Sequence, residues 1–342
     1  MDKDKKGPQF DNDIFALSVK HMEDNQIDAI SEKTAIVVGE KGSGKTTLIA
    51  ALAGEEAKAD RKPTAGMDYK YAIKKVENKK VVGNFHEIGG GRVLADLIET
   101  ALNSSKIKDT VVVIAIDLSQ PDTAVHFLSF WLKIVSTAVN KALDSLNASD
   151  PALASQVREQ SAFKWEGHVD SKRVYPIPIP VIIVGTKYDV FGIEESENKK
   201  WMCRALRYFA HTNGCDLTFC SYREKDFSAV KQIINYQMYS SPKEPKIQAD
   251  HSKILSIVER QDKLTAIGDP AIPGEMSLEQ AWTMSVEQFF PLKNSITEEN
   301  NDKELDEISK YPESKIDALK AQKDEEMQRS EMQAKKVKSK KK

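Results

Sequence analysis

Apolar positions along this chain switch between two spacings, and the order of the switches points to an α/β fold. Ala35-Ile36-Val37-Val38 is an unbroken apolar run, and a helix-like segment begins at Thr47. Short apolar runs bounded by turn residues mark strands buried on both faces. Asp68-Tyr69-Lys70-Tyr71-Ala72-Ile73-Lys74 alternates with period two instead, Glu77-Asn78-Lys79-Lys80 supplies a turn, and residues 81–86 form a second extended run. The turn leaves no room for a crossover helix, so these two strands pair antiparallel. The β-branched run 110–116 reads as a buried parallel strand, and Val125, Leu128, Leu132, Val135, Val139 and Leu143 give 122–146 the spacing of a helix. Residues 181–184, after the prolines of 176–180, form another buried strand; 206–210 belongs to a helix, 217–220 reads as the last strand and 227–239 as the last helix.

Strands alternating with helices in this way predict a doubly wound sheet with one antiparallel edge strand. This nucleotide-binding domain spans 34–240. Residues 1–33 are a lead-in, with a short helix expected within 14–30. The stretch 147–175 exceeds a normal connection and contains Phe163 and Trp165, so it reads as an insertion. Residues 241–296 form a C-terminal helical arm whose amphipathic helix, 278–290, carries Trp282, Phe289 and Phe290. These aromatics either anchor a partner or pack on their own domain. Residues 297–342 are charged and end in a Lys-rich run. They are expected to be disordered or a lone charged helix.

Composition narrows the function classes. The chain has 342 residues, 40% of them hydrophobic, enough for a sizeable core; its formal net charge of −2 gives no overall field that would point to nucleic acid. Neither a membrane span nor a signal-peptide core is visible, so a soluble intracellular protein without membrane insertion is expected. Cys203, Cys215 and Cys220 are too few for a disulfide framework and read as reduced thiols in or near the core.

Gly39-Glu40-Lys41-Gly42-Ser43-Gly44-Lys45-Thr46, followed by Thr47, is a complete G-x-x-x-x-G-K-[ST] phosphate loop between a predicted strand and a predicted helix. The loop N–H groups would cradle a phosphate, Lys45 would reach the β- and γ-phosphates, and the Thr46 hydroxyl would hold Mg²⁺. The fold expected is therefore that of a P-loop NTPase.

Thr186-Lys187-Tyr188-Asp189 resembles the [NT]-K-x-D guanine motif of small GTPases, and Ser221 matches their last base-contact loop. Asp189 could accept from guanine N1–H and its amino group, whereas adenine would oppose that charge with a lone pair. Lys187 would lie along the base plane. The ligand expected is GDP or GTP, with Mg²⁺, or a pocket left empty.

Hydrolysis is not expected. Small GTPases carry D-x-x-G followed by a water-orienting Gln; here Glu87-Ile88-Gly89-Gly90-Gly91 puts Glu for Asp and Gly for Gln. Glu87's extra methylene would displace the carboxylate that serves the metal, and Lys41 crowds the reacting phosphate. Thr64 stands where a switch threonine would cover that phosphate. Thr64 and Glu87 are weak additional metal candidates beside Thr46. Asp117 could serve instead as an ATPase-type metal carboxylate, and an active GTPase switch is the alternative function.

The phosphate loop, Phe85-His86-Glu87-Ile88-Gly89-Gly90-Gly91, Lys187-Tyr188-Asp189-Val190-Phe191 and Leu206-Arg207-Tyr208-Phe209-Ala210-His211 together resemble the dynein light intermediate chain family, and within it the cytoplasmic dynein 2 type. The Glu-x-Gly-Gly-Gly string is the specific part; His86 departs from the family's Trp. The resemblance runs from about residue 34 to residue 292. It implies a Ras-like, non-catalytic subunit that binds and stabilises the dynein 2 heavy chain beside the other dynein 2 subunits and works with intraflagellar transport trains. It also implies a place in the cytoplasm, the cytoskeleton and the cilium, at axoneme and basal body.

Overall fold

The computed structural model describes residues 31–55, 63–76, 79–221, 224–272 and 276–293, with Gln322, Lys323, Glu325 and Met327. The helix expected within 14–30 lies outside the described residues. The chain divides into two units, Met1–Lys293 and Asn294–Lys342; in the second, the four described residues are helical and exposed.

A seven-stranded sheet organises the first unit. Its strands are β1 (Ser31–Gly39), β2 (Met67–Val76), β3 (Lys79–Ile88), β4 (Thr110–Asp117), β5 (Val181–Thr186), β6 (Asp216–Phe219) and β7 (Ser256–Ile257), in the order β2-β3-β1-β4-β5-β6-β7. The hairpin β2–β3 is antiparallel and β3, β1, β4, β5 and β6 run parallel. The sequence predicts one antiparallel edge strand; the structure has a second, β7, paired antiparallel with β6. Two residues are too short a run for periodicity to reveal; Ser256 pairs with Thr218 on one side and is bridged to Gln248.

The helices are α1 (Lys45–Ala53), α2 (Leu97–Ala101), α3 (Pro121–Ser149), α4 (Pro151–Lys164), α5 (Tyr188–Phe191), α6 (Ser196–Thr212), α7 (Glu224–Tyr239), α8 (Leu264–Ile267) and α9 (Leu278–Glu287). One sheet face is covered by α1 and α7 through Leu48, Ile49, Leu52, Val230, Ile233 and Met238. The other buries Ile36, Val38, Ile114 and Ile183 under α3 and α6. Part of the predicted insertion is regular structure: α3 continues to Ser149, and α4 begins at once behind Pro151, with the Asp150 carboxylate accepting from the Leu153 N–H at 3.0 Å. Only Ala154 and Val157 are buried along α4, which is why its helical period is weak in the sequence.

The arm docks on its own domain. Ser277 and Gln280 form a capping box at the start of α9. Trp282 is 1% exposed, Phe290 joins the core beside Phe191, and Phe289 stacks on Trp201 at 5.6 Å. Trp282 and Phe290 are therefore core residues and not a free anchoring surface. All three cysteines are buried.

Candidate functional site

Parallel pairing brings four strand ends to one edge of the sheet. Gly39 pairs with Ala115 and Asp117 with Thr186, while Val37 stands level with Glu87. Loops leaving this edge form the site, as expected where strand order reverses in an open α/β sheet.

The phosphate loop is built on glycines that only glycine can replace. Gly39, Gly42 and Gly44 have φ of 145°, 79° and 84°, and a β-carbon on Gly39 would lie 2.3 Å from the Ala115 carbonyl oxygen. Lys45 folds back inside the loop, donating to Gly39 O at 2.9 Å and Glu40 O at 2.8 Å. Burial pulls its ammonium below the ordinary lysine value, against the attraction of Glu87 and Glu40. The Ser43 hydroxyl is buried with no partner among the described residues. An inward cation, an unpaired hydroxyl and the N-terminus of a nine-residue helix fit a phosphate group chemically. Lys41 and Gly42 are exposed.

Thr46 donates to Glu87 Oε1 at 2.8 Å, with Glu87 buried at the end of β3. The longer carboxylate thus stays against the loop hydroxyl, and the pair offers oxygen donors suited to Mg²⁺. Thr64 lies against Gly89, where a β-carbon would meet the Thr64 carbonyl oxygen at 2.2 Å.

Gly91 opens a 3₁₀ turn with φ of 59°, and a β-carbon there would lie 3.1 Å from both Glu40 Oε2 and the Lys41 nitrogen. Beneath it, three side chains that sequence reasoning did not single out lock together. Glu40 Oε1 accepts from Trp131 Nε1 at 3.2 Å and pairs with Arg92 Nε at 3.5 Å, and Arg92 lies over the Phe127 ring at 4.7 Å. Burial pushes the Glu40 carboxyl up from its ordinary value despite Arg92. The signal available was an acidic residue inside a phosphate loop, with an arginine directly after three glycines.

On the other side of the loop lies a cleft of about 300 Å³, whose walls include Gly44, Thr47, Thr186, Lys187, Ser221 and Phe227. Thr186 fastens it: its hydroxyl donates to Ser43 O at 2.8 Å and approaches Ile116 O at 3.1 Å. Lys187, at φ of 55°, forms an ion pair with Asp117, which also accepts from the Ser119 N–H and hydroxyl. Asp117 is thus engaged in holding Lys187. The Tyr188 N–H donates to Cys220 O at 3.0 Å, joining the Lys187 turn to the Ser221 loop. Asp189 is exposed on the first turn of α5, next to the cleft but outside its wall.

The dynein light intermediate chain (DLIC) family profile matches residues 25–176. The cytoplasmic dynein 2 light intermediate chain 1 of Bos taurus is 31% identical over 309 residues, covering 87% of each chain. This chain belongs to the dynein light intermediate chain family. The human cytoplasmic dynein 2 light intermediate chain 1 is 30% identical over 312 residues, again with 87% of each chain covered. The crystal structure of a dynein light intermediate chain's conserved domain superposes with a TM-score of 0.53 at 15% identity, covering 78% of this chain and 95% of that one, which establishes the shared fold. In this light intermediate chain the Glu87-to-Gly91 string is the segment packed against the phosphate loop. Among its described residues no helix is long and apolar enough to cross a membrane.

Proposed function

We propose that this light intermediate chain is a non-catalytic accessory subunit of cytoplasmic dynein 2, binding and stabilising the heavy chain for retrograde intraflagellar transport and cilium assembly. Relatives named cytoplasmic dynein 2 light intermediate chain 1 are matched over 87% of their length, against 46% for the human cytoplasmic dynein 1 light intermediate chain 1, which supports that type. The pocket holds a guanine nucleotide, GDP or GTP, as a fixed part of the scaffold. Gly44, Lys45 and the loop glycines take the phosphates, and Thr46 with Glu87 takes Mg²⁺. Thr186, Lys187 and Ser221 border the base, and Asp189 turns from the adjoining surface to read it.

The observation that carries the non-catalytic reading is Gly91. Glycine has no side chain to orient a water, and on this left-handed backbone a β-carbon would crowd the phosphate loop, 3.1 Å from the Lys41 nitrogen. The test has two arms. Denaturing the purified chain and chromatographing what it releases identifies the nucleotide, and release of adenine nucleotide would overturn the guanine assignment. Single-turnover hydrolysis above buffer background would overturn the non-catalytic reading, and a Lys45→Ala chain that still assembles with the heavy chain would show that the pocket is vestigial.

A further inference from the structure

A second polar cluster lies away from the strand ends. The connection after α4 turns back across the end of α6 and brings His168 and Asp170 beside His211. His211 Nε2 stands 3.0 Å from Asp170 Oδ2, the two imidazole centroids are 5.4 Å apart, and the ligating atoms of all three residues fall within 4.8 Å of one another. The His211 side chain is 2% exposed and that of Asp170 11%.

We propose that His168, Asp170 and His211 form a zinc site, with His168 Nδ1, His211 Nε2 and the Asp170 carboxylate as ligands and water in the fourth position. The surrounding hydrogen bonds fix one of the two histidine forms required. His168 Nε2 lies 3.1 Å from Arg260 O, so the proton sits on Nε2, and the Nδ1 lone pair, which accepts from the Asp170 N–H at 3.1 Å, would give up that bond to take the metal. A metal-bound histidine uses its second nitrogen in this way, giving the N–H to a backbone carbonyl. Asp170 Oδ2 is oriented by the Leu264 N–H at 2.9 Å, and no described residue donates to Oδ1. Zinc at His211 Nε2 replaces the proton now shared with Asp170, and that proton passes to Nδ1 of the same ring.

The donor set of two imidazoles and one carboxylate suits Zn²⁺ better than Mg²⁺ or Ca²⁺. Bonds of about 2.0–2.1 Å place tetrahedral ligands roughly 3.4 Å apart, so the widest spacing closes by about 1.4 Å on binding. Trp165 packs edge-on against both rings, at 5.0 and 5.4 Å, and shields the site. Cys215, the nearest thiol along the chain, is buried and its ionisation is pushed well up, so it does not compete as a thiolate. Because Arg260 and Leu264 belong to the arm, the ion would clip the arm to the domain.

The experiment is titration of the chelator-stripped full chain with zinc chloride by calorimetry, with metal content measured after desalting. One equivalent is expected, together with a higher Tm at saturating zinc. His168→Gln and Asp170→Asn should each weaken binding at least tenfold. If Asp170→Asn fails to fold, His168→Gln, at a partly exposed position, decides alone. Cobalt substitution should give a tetrahedral ligand-field spectrum without a thiolate band. Absence of uptake, uptake unchanged in His168→Gln, or a thiolate charge-transfer band would overturn the assignment.

Discussion

A β-carbon on Gly91 would lie 3.1 Å from the backbone nitrogen of Lys41, so a side chain there would crowd the phosphate loop and require it to shift by a few tenths of an ångström. Glutamine at this position is therefore not expected to create a hydrolase. Gly91→Gln is expected to leave single-turnover hydrolysis at background and to lower stability by ~1–2 kcal/mol from the left-handed backbone alone. Denaturant unfolding beside the hydrolysis assay checks both. A gain of turnover would show that the loop yields where this packing says it does not.

Thr186 ties the base-side turn to the phosphate loop with one hydroxyl proton directed at two carbonyls. Thr186→Val keeps the shape and removes the donor. A loss of about 1–2 kcal/mol is expected, measured by urea unfolding of the purified chain, with weaker retention of any nucleotide on gel filtration. Unchanged stability would mean that the loop is held by its glycines alone.

Asp216 gives a pH signature distinct from the zinc cluster. Burial, with the nearby Glu259 charge, raises its carboxyl to about 7 although the Glu259 N–H donates to it at 2.8 Å. The unfolded value is about 3.9, so the folded chain binds this proton more tightly. The resulting stability is complete below about pH 4 and is lost as pH rises through about 7. A slope of up to ~1.4 kcal/mol per pH unit follows for a single site. In Asp216→Asn, which keeps a carbonyl acceptor for Glu259, this slope should disappear. Tm profiles between about pH 5 and about pH 7.5 decide the matter, and identical profiles for both chains would assign the slope elsewhere.

Trp282 should behave as a core residue. Trp282→Ala is expected to cost about 3–5 kcal/mol and to loosen α9, visible as a lower midpoint in guanidinium and faster amide exchange in the arm. A variant that kept full stability but lost the heavy chain would return Trp282 to the role of partner anchor.

The parts of this molecule readable in advance are those where one local pattern has one physical solution. Ala35 to Val38 had to be a buried strand because four apolar residues precede a glycine loop, and the hairpin followed from a turn too short to cross over. The phosphate loop was legible because its glycines answer a backbone requirement, met here at Gly39 and Gly44. Contacts joining distant segments were not legible. Glu40, Arg92 and Trp131 are separated by 52 and 39 residues (92 − 40 and 131 − 92), and no local period links them. The strand β7 was hidden by its length, and α4 by its nearly unburied surface. Trp282 and Phe290 showed a helical face in the sequence, but which surface that face meets is a tertiary fact.

The inward turn of Lys45 has one more consequence. Its charge is already answered by two carbonyls of its own loop, and Thr186 fixes Ser43 from the end of β5. The loop's shape is thus written into the folding energy of the sheet and does not depend on turnover. A lineage could then discard the reacting side chains one at a time, each loss neutral for folding, and still inherit an intact rigid body on which to build a motor subunit.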